Sequence, residues 1–202
     1  MRTRGELALT PIAALQAGLP VIAVDDEDRE NEGDIIMAAQ YATPEWLAWI
    51  LRVSSGFECA PMTNELADVL ELPLMTEDNK DSLRTAYTIT VDTAGQSTTG
   101  ISATDRARTL RVLADPSSGP TDLIHPGHIL SLRAVDGGVR QRPGHTEAAV
   151  DLLKLAGLTP VGVIAEVVAD DREMMRLPGL LELGREKGLP VISIAQLASA
   201  LN

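Results

Sequence analysis

Two apolar runs, Val21 to Val24 and Ile35 to Ala39, flank a stretch of ten residues without an apolar side chain. Short continuous apolar runs bounded by turn residues predict strands buried on both faces. Upstream, Leu9, Ile12, Ala13 and Leu15 to Ala17 predict a helix that Gly18 and Pro20 stop. Thr43 and Pro44 give the cap and first-position signals for a helix through "EWLAWILRV", with Trp46 and Trp49 expected on its buried face. In "YTITVDT" (Tyr87 to Thr93), alternation predicts a half-buried strand with the threonines outward and Ile89 and Val91 inward. Ser102 and Asp105 read as an acidic variant of the capping box, opening a helix that Asp115-Pro116 ends. "HILSLRAV" and "VGVIAEVV" read as further strands. Between them Ala149, Leu152, Leu153 and Ala156 recur at helical spacing before Gly157. The tail predicts helix "LPGLLELGREK", strand "PVISI" and helix "AQLASALN". Helices and strands interleave irregularly, which points to an α+β layered α/β sandwich: one mixed, twisted sheet flanked by helices, with residues 1–202 forming a single domain.

Composition narrows the partners. Hydrophobic residues make up 45% of the chain and aromatics only 2%, so the core is aliphatic and the chain globular. A net charge of -12 argues against nucleic acid and acidic membranes as partners, though a local basic pocket for a small anion remains compatible. The lone Cys59 fits a reducing, cytoplasmic setting. The first residues show no apolar run of signal-peptide or membrane-spanning length.

Candidate chemistry sits in four places. Asp25 to Asp34 holds seven carboxylates in ten residues. A solvated turn is one reading. An EF-hand is excluded because Ala39 stands where the bidentate glutamate belongs. The setting between two buried strands predicts neutralisation by a cation, by Arg29, or by both. In "RPGHTEAAV", Pro143 and Gly144 shape a turn and Thr146 opens a helix whose free amides, with Arg142, suit an anion; a merely capped helix is the alternative. His145 stands there as a neutral imidazole ligand. His128 follows the same Pro-Gly signal, and is either a packed strand residue or a functional one. Glu166, within an apolar strand, is costly unless it faces a polar site. Together these groups suit a phosphorylated polyol or ketose chelating a divalent cation, with isomerase, aldolase and lyase all still open.

"VDDEDRENEGD", "TTGISATDRART", "PGH" at Pro126 to His128 and "RPGHTEAAVDL" resemble the 3,4-dihydroxy-2-butanone-4-phosphate synthase family of riboflavin biosynthesis, over about Leu7 to Leu197. The resemblance implies conversion of D-ribulose 5-phosphate into L-3,4-dihydroxybutan-2-one 4-phosphate and formate. It also implies two divalent ions, Mg²⁺ or Mn²⁺, with Glu30 and His145 as protein ligands. His128, Glu166 and Asp34 take catalytic roles, and Arg29, Glu30, Asp34, Arg142, Pro143, Gly144, His145, Thr146 and Glu166 bind substrate. A homodimer is implied, with sites completed across the interface, where Thr99 to Asp105 contribute. Only the synthase part is covered, as in a monofunctional form or an isolated domain. Relatives often carry Pro at Ser131, Cys at Ala165 and Gly near Arg84, which leaves room for a paralogue acting on another sugar phosphate. A metal-dependent pentose phosphate isomerase is the other alternative. Cys59 reads as a packed thiol.

Overall fold

The computed structural model describes residues 9–95 and 97–201; Leu7, where the resemblance begins, lies outside them. The first helix is α1 (Pro11–Gln16), capped by the Thr10 hydroxyl. The two apolar runs become β1 (Val21–Val24) and β2 (Gly33–Ala38), an antiparallel pair with Val24 opposite Gly33. Helix α2 (Pro44–Val53) follows, then β3 (Cys59–Met62), α3 (Asn64–Val69), β4 (Tyr87–Thr93) and α4 (Ala103–Ala114). Beyond them come β5 (Leu123–Arg133), α5 (His145–Leu155), β6 (Gly162–Glu166), α6 (Leu177–Lys187), β7 (Val191–Ser193) and α7 (Ile194–Ala200).

The seven strands form one mixed sheet in the order β4-β5-β3-β6-β2-β1-β7. Alternation within each strand feeds two separate cores. Ile22, Val24, Ile35, Met37, Ala60 and Val163 pack with Leu47, Ile50, Ala67, Leu110 and Leu180, from α2, α3, α4 and α6. Val21, Ala23, Ile36, Cys59 and Ile164 pack on the other face with Leu15, Leu152 and Leu197, from α1, α5 and α7. Helices on both faces explain why β1 and the Ile35 to Ala38 part of β2 are unbroken apolar runs. The α+β layered sandwich with a mixed sheet is therefore observed.

Some local expectations are corrected. Leu47 and Ile50 form the buried ridge of α2, while Trp46 and Trp49 are half-buried and pack edge to face at its flank. In β4, Thr88 is fully buried and Ile89 only partly so, because bulges interrupt the pairing with β5 and shift the alternation. The Thr88 hydroxyl is accommodated by donating to the Ser131 and Ile89 carbonyls. Ser102 caps α4, but the Asp105 carboxylate turns instead to Thr98 and the Gly100 amide. Strand β3 was not anticipated: Pro61 stands in it, and an internal proline argues against a central strand.

Candidate active site

The β1–β2 connection divides its seven carboxylates by setting. Asp26, Glu27 and Asp28 are exposed, as a solvated turn would have them, whereas Asp25, Glu30, Glu32 and Asp34 are drawn inward. Asp25 organises the loop. Its carboxylate accepts the amides of Glu32 at 2.8 Å and Glu30 at 3.1 Å and a guanidinium N–H of Arg29 at 2.9 Å. Arg29 also pairs with Glu30, and the Arg176 guanidinium, just before α6, donates to the carbonyls of Glu30 and Asn31. Two cations and a ring of amides thus offset the crowding of negative charge.

The inward groups converge on the start of α5. His145 Nδ1 lies 3.7 Å from Asp34 Oδ1 and 3.9 Å from Glu30 Oε2. Asp34 is also the cross-strand partner of Glu166, whose carboxylate accepts the Ser55 hydroxyl at 2.7 Å. Burial, then the charges of Glu166 and Glu30, holds the Asp34 carboxyl well above the usual range. Partial burial and Glu30 raise Glu32 as well. Burial pulls His145 down to about 4, against the opposing charge of Asp25. Cys59 lines the same pocket; burial pushes its thiol up, consistent with a packed residue.

These residues fit a divalent cation. Asp34 Oδ1 and His145 Nε2 are buried without a hydrogen-bond partner, a state that a ligand would relieve. Ligand atoms of Asp25, Glu30 and His145 lie within 4.8 Å of one another. Asp25 already accepts three donors and Glu30 pairs with Arg29, whereas Asp34 Oδ1 is unpaired. Hard carboxylate oxygens with one imidazole suit Mg²⁺ or Mn²⁺. Sequence reasoning missed the role of Asp25; an aspartate at a strand end is a turn signal, but nothing local says which amides it will hold.

Beside this cluster the residues of "RPGHTEAAV" bring two guanidiniums to a helix start that has no side-chain cap. Gly144 caps α5 without a side chain, leaving the first-turn amides open. Arg142 is held by Glu147 at 2.7 Å, by the Leu83 carbonyl and by the Thr85 hydroxyl. A Cβ at Gly144 would lie 2.5 Å from the Arg142 guanidinium and 3.1 Å from that of Arg29, so both cations close over this glycine. Arg29, Arg142, His145 and Thr146 line the pocket with Glu30, Asp34 and Glu166. Pro143 is exposed at the turn before α5 and is not among the residues lining this pocket.

His128 is placed elsewhere. Its Nδ1 sits 2.7 Å from Asp92 Oδ2 and its amide donates to Oδ1 of the same carboxylate at 3.0 Å. It faces a neighbouring, largely apolar pocket walled by Phe57, Met75 and Leu130, with Tyr87 bordering both. One chain therefore gathers Glu30, Asp34, His145 and Glu166 but not His128. Ser131 and Ala165 are buried in the sheet, and neither lines the pocket; Arg84 is exposed and turns back to the Asn79 carbonyl.

Residues 10–200 match the family model described as 3,4-dihydroxy-2-butanone 4-phosphate synthase. The riboflavin biosynthesis protein RibBA of Salinispora arenicola is 54% identical over 188 residues, covering 93% of this chain and 45% of its own length. The chain thus spans about half of that relative. The 3,4-dihydroxy-2-butanone 4-phosphate synthase of Saccharomyces cerevisiae is 56% identical over 189 residues, covering 90% of this chain and 91% of its own. A crystal structure of a 3,4-dihydroxy-2-butanone 4-phosphate synthase in complex with two magnesium ions superposes with a TM-score of 0.92 at 44% identity, covering 94% of both chains.

Proposed function

Because the chain belongs to the 3,4-dihydroxy-2-butanone 4-phosphate synthase family, we propose that it converts D-ribulose 5-phosphate into L-3,4-dihydroxybutan-2-one 4-phosphate and formate, as a metal-dependent carbon–carbon lyase of riboflavin biosynthesis. The observation that supports this most directly is the convergence of Glu30, Asp34 and His145 Nδ1 on one pocket, where Asp34 Oδ1 is buried without a hydrogen-bond partner. In this reading residues 1–202 act as a single cytoplasmic synthase domain holding two Mg²⁺ or Mn²⁺ ions through Glu30 and His145.

When bound, the cations supply Lewis-acid polarisation of the substrate carbonyl and lower the pKa of its hydroxyls. Arg142, Arg29 and the open amides of α5 receive the phosphate and fix the carbon chain relative to the carboxylates. Asp34, held toward its protonated form by burial, exchanges a proton with a substrate hydroxyl. Glu166, oriented by the Ser55 hydroxyl, serves as the second acid/base group, so enolisation and loss of the C1 hydroxyl have separate proton carriers. His128 completes the site from a second copy in a homodimer, to which the Thr99 to Asp105 segment contributes; this accounts for its separate pocket in one chain.

Incubation with ribulose 5-phosphate and Mg²⁺, followed by NMR, should release formate in step with substrate loss, and EDTA should stop it. Glu30→Gln should reduce the rate more than about a hundredfold at ordinary metal concentration. A five-carbon sugar phosphate without formate would instead establish an isomerase. Near-normal formate release by Glu30→Gln would refute the ligand role.

A further inference from the structure

The pocket that holds His128 contains an ion pair that the mechanism above leaves unused. Glu58, the residue before β3, has a fully enclosed side chain, and its Oε2 accepts Arg106 Nη1 at 3.1 Å. Its other oxygen has no partner. Burial holds the Glu58 carboxyl up at about 7 even against the pull of Arg106. A buried pair of this kind is a weak source of stability, since desolvation consumes most of its Coulombic gain. Positional control is the better-supported use of such a pair.

The rest of the Arg106 fork shows what is controlled. Its Nε donates to the Ile101 carbonyl at 3.0 Å, in the loop that precedes α4. Asp105, one residue earlier, grips the same loop from its amide side, accepting the Thr98 hydroxyl at 2.7 Å and the Gly100 amide at 3.3 Å. Gly100 has a φ of 84°, and a Cβ there would collide with the Asp92 carboxylate and lie 2.5 Å from His128 Nδ1. The loop backbone is thus pressed against the hydrogen-bonded His128–Asp92 couple. Neither residue of the ion pair bonds to His128 directly.

We propose that Glu58 and Arg106 are positioning residues for His128: Glu58 fixes the guanidinium, the guanidinium fixes Ile101, and the loop then holds His128 against Asp92 in one orientation. This rests on the reading of His128 as a catalytic group, and the measurements separate the two. The chain has only three histidines, so ring resonances of the full-length, Mg²⁺-loaded protein can be assigned with His128→Asn. In Arg106→Lys, which keeps the charge but loses the fork, and in the near-isosteric Glu58→Gln, the His128 ring resonances should move away from their wild-type positions at one fixed pH. For both variants kcat should fall about tenfold with KM within about twofold, the pattern of a misplaced acid/base group. His128 ring resonances at their wild-type positions in both folded variants overturn the proposal, whatever happens to activity or melting temperature. If the ring shifts but His128→Asn turns over normally, the positioning stands and the catalytic reading of His128 falls.

Discussion

Ser131 is fully buried, and its hydroxyl finds no hydrogen-bond partner among the described residues. A hydroxyl taken out of water without a partner carries a desolvation cost that a methyl group does not. Ser131→Ala should therefore be neutral or stabilise the fold by up to about 1 kcal/mol in urea unfolding, with formate release unchanged because Ser131 does not line the pocket. A loss of stability above that size would mean that the hydroxyl has a partner after all. At this scale the sequence was informative where residue type is rare: a glutamate in an apolar strand and a histidine after Pro-Gly stood out. It was silent among the seven carboxylates, which look alike in a string. Asp25 differs from Asp26 only in where the chain returns, bringing the amides of Glu30 and Glu32 back to it.

The two Pro-Gly-His triplets solve different problems with the same residues. At the head of α5, the small Gly144 lets two guanidiniums approach an open helix end. In β5, Gly127 lies so close to the Val91–Asp92 backbone of β4 that a Cβ would overlap it, and its amide donates to the Thr90 hydroxyl. The close crossing brings His128 onto Asp92. Gly127→Ala must push the two strands apart, and should cost about 2 kcal/mol or more in urea unfolding while lowering turnover through His128. Retention of full stability would show that β4 yields easily. Most helices and the strands covered on both faces were legible, because caps and unbroken apolar runs are local signals. Strand β3 was not, since four residues containing Pro61 carry no strand pattern, and the β4 alternation failed where bulges moved Thr88 inward.

Across the whole molecule, the sheet order creates the site. Strands β2 and β6 are distant in sequence yet adjacent in the sheet, which sets Asp34 beside Glu166, and α5 delivers His145 to the same place. No periodicity encodes that adjacency; only the family resemblance anticipated it. Separation of His128 from this cluster makes the homodimer reading testable by subunit mixing. Combining inactive Glu30→Gln with inactive His128→Asn under conditions that reshuffle subunits should restore about a quarter of wild-type activity, because half the dimers then carry one intact site. No recovery, with exchange verified, would place both residues in sites built from one chain.

Asp34 is the least comfortable residue of the fold: enclosed, lacking a partner for one oxygen, and set opposite another acid. Selection for endurance alone would replace it with something apolar and gain from the exchange, at the cost of the proton transfer proposed for it. On that proposal the protein trades durability for work, and laboratory evolution toward heat tolerance, run without an activity screen, will tend to erase this position.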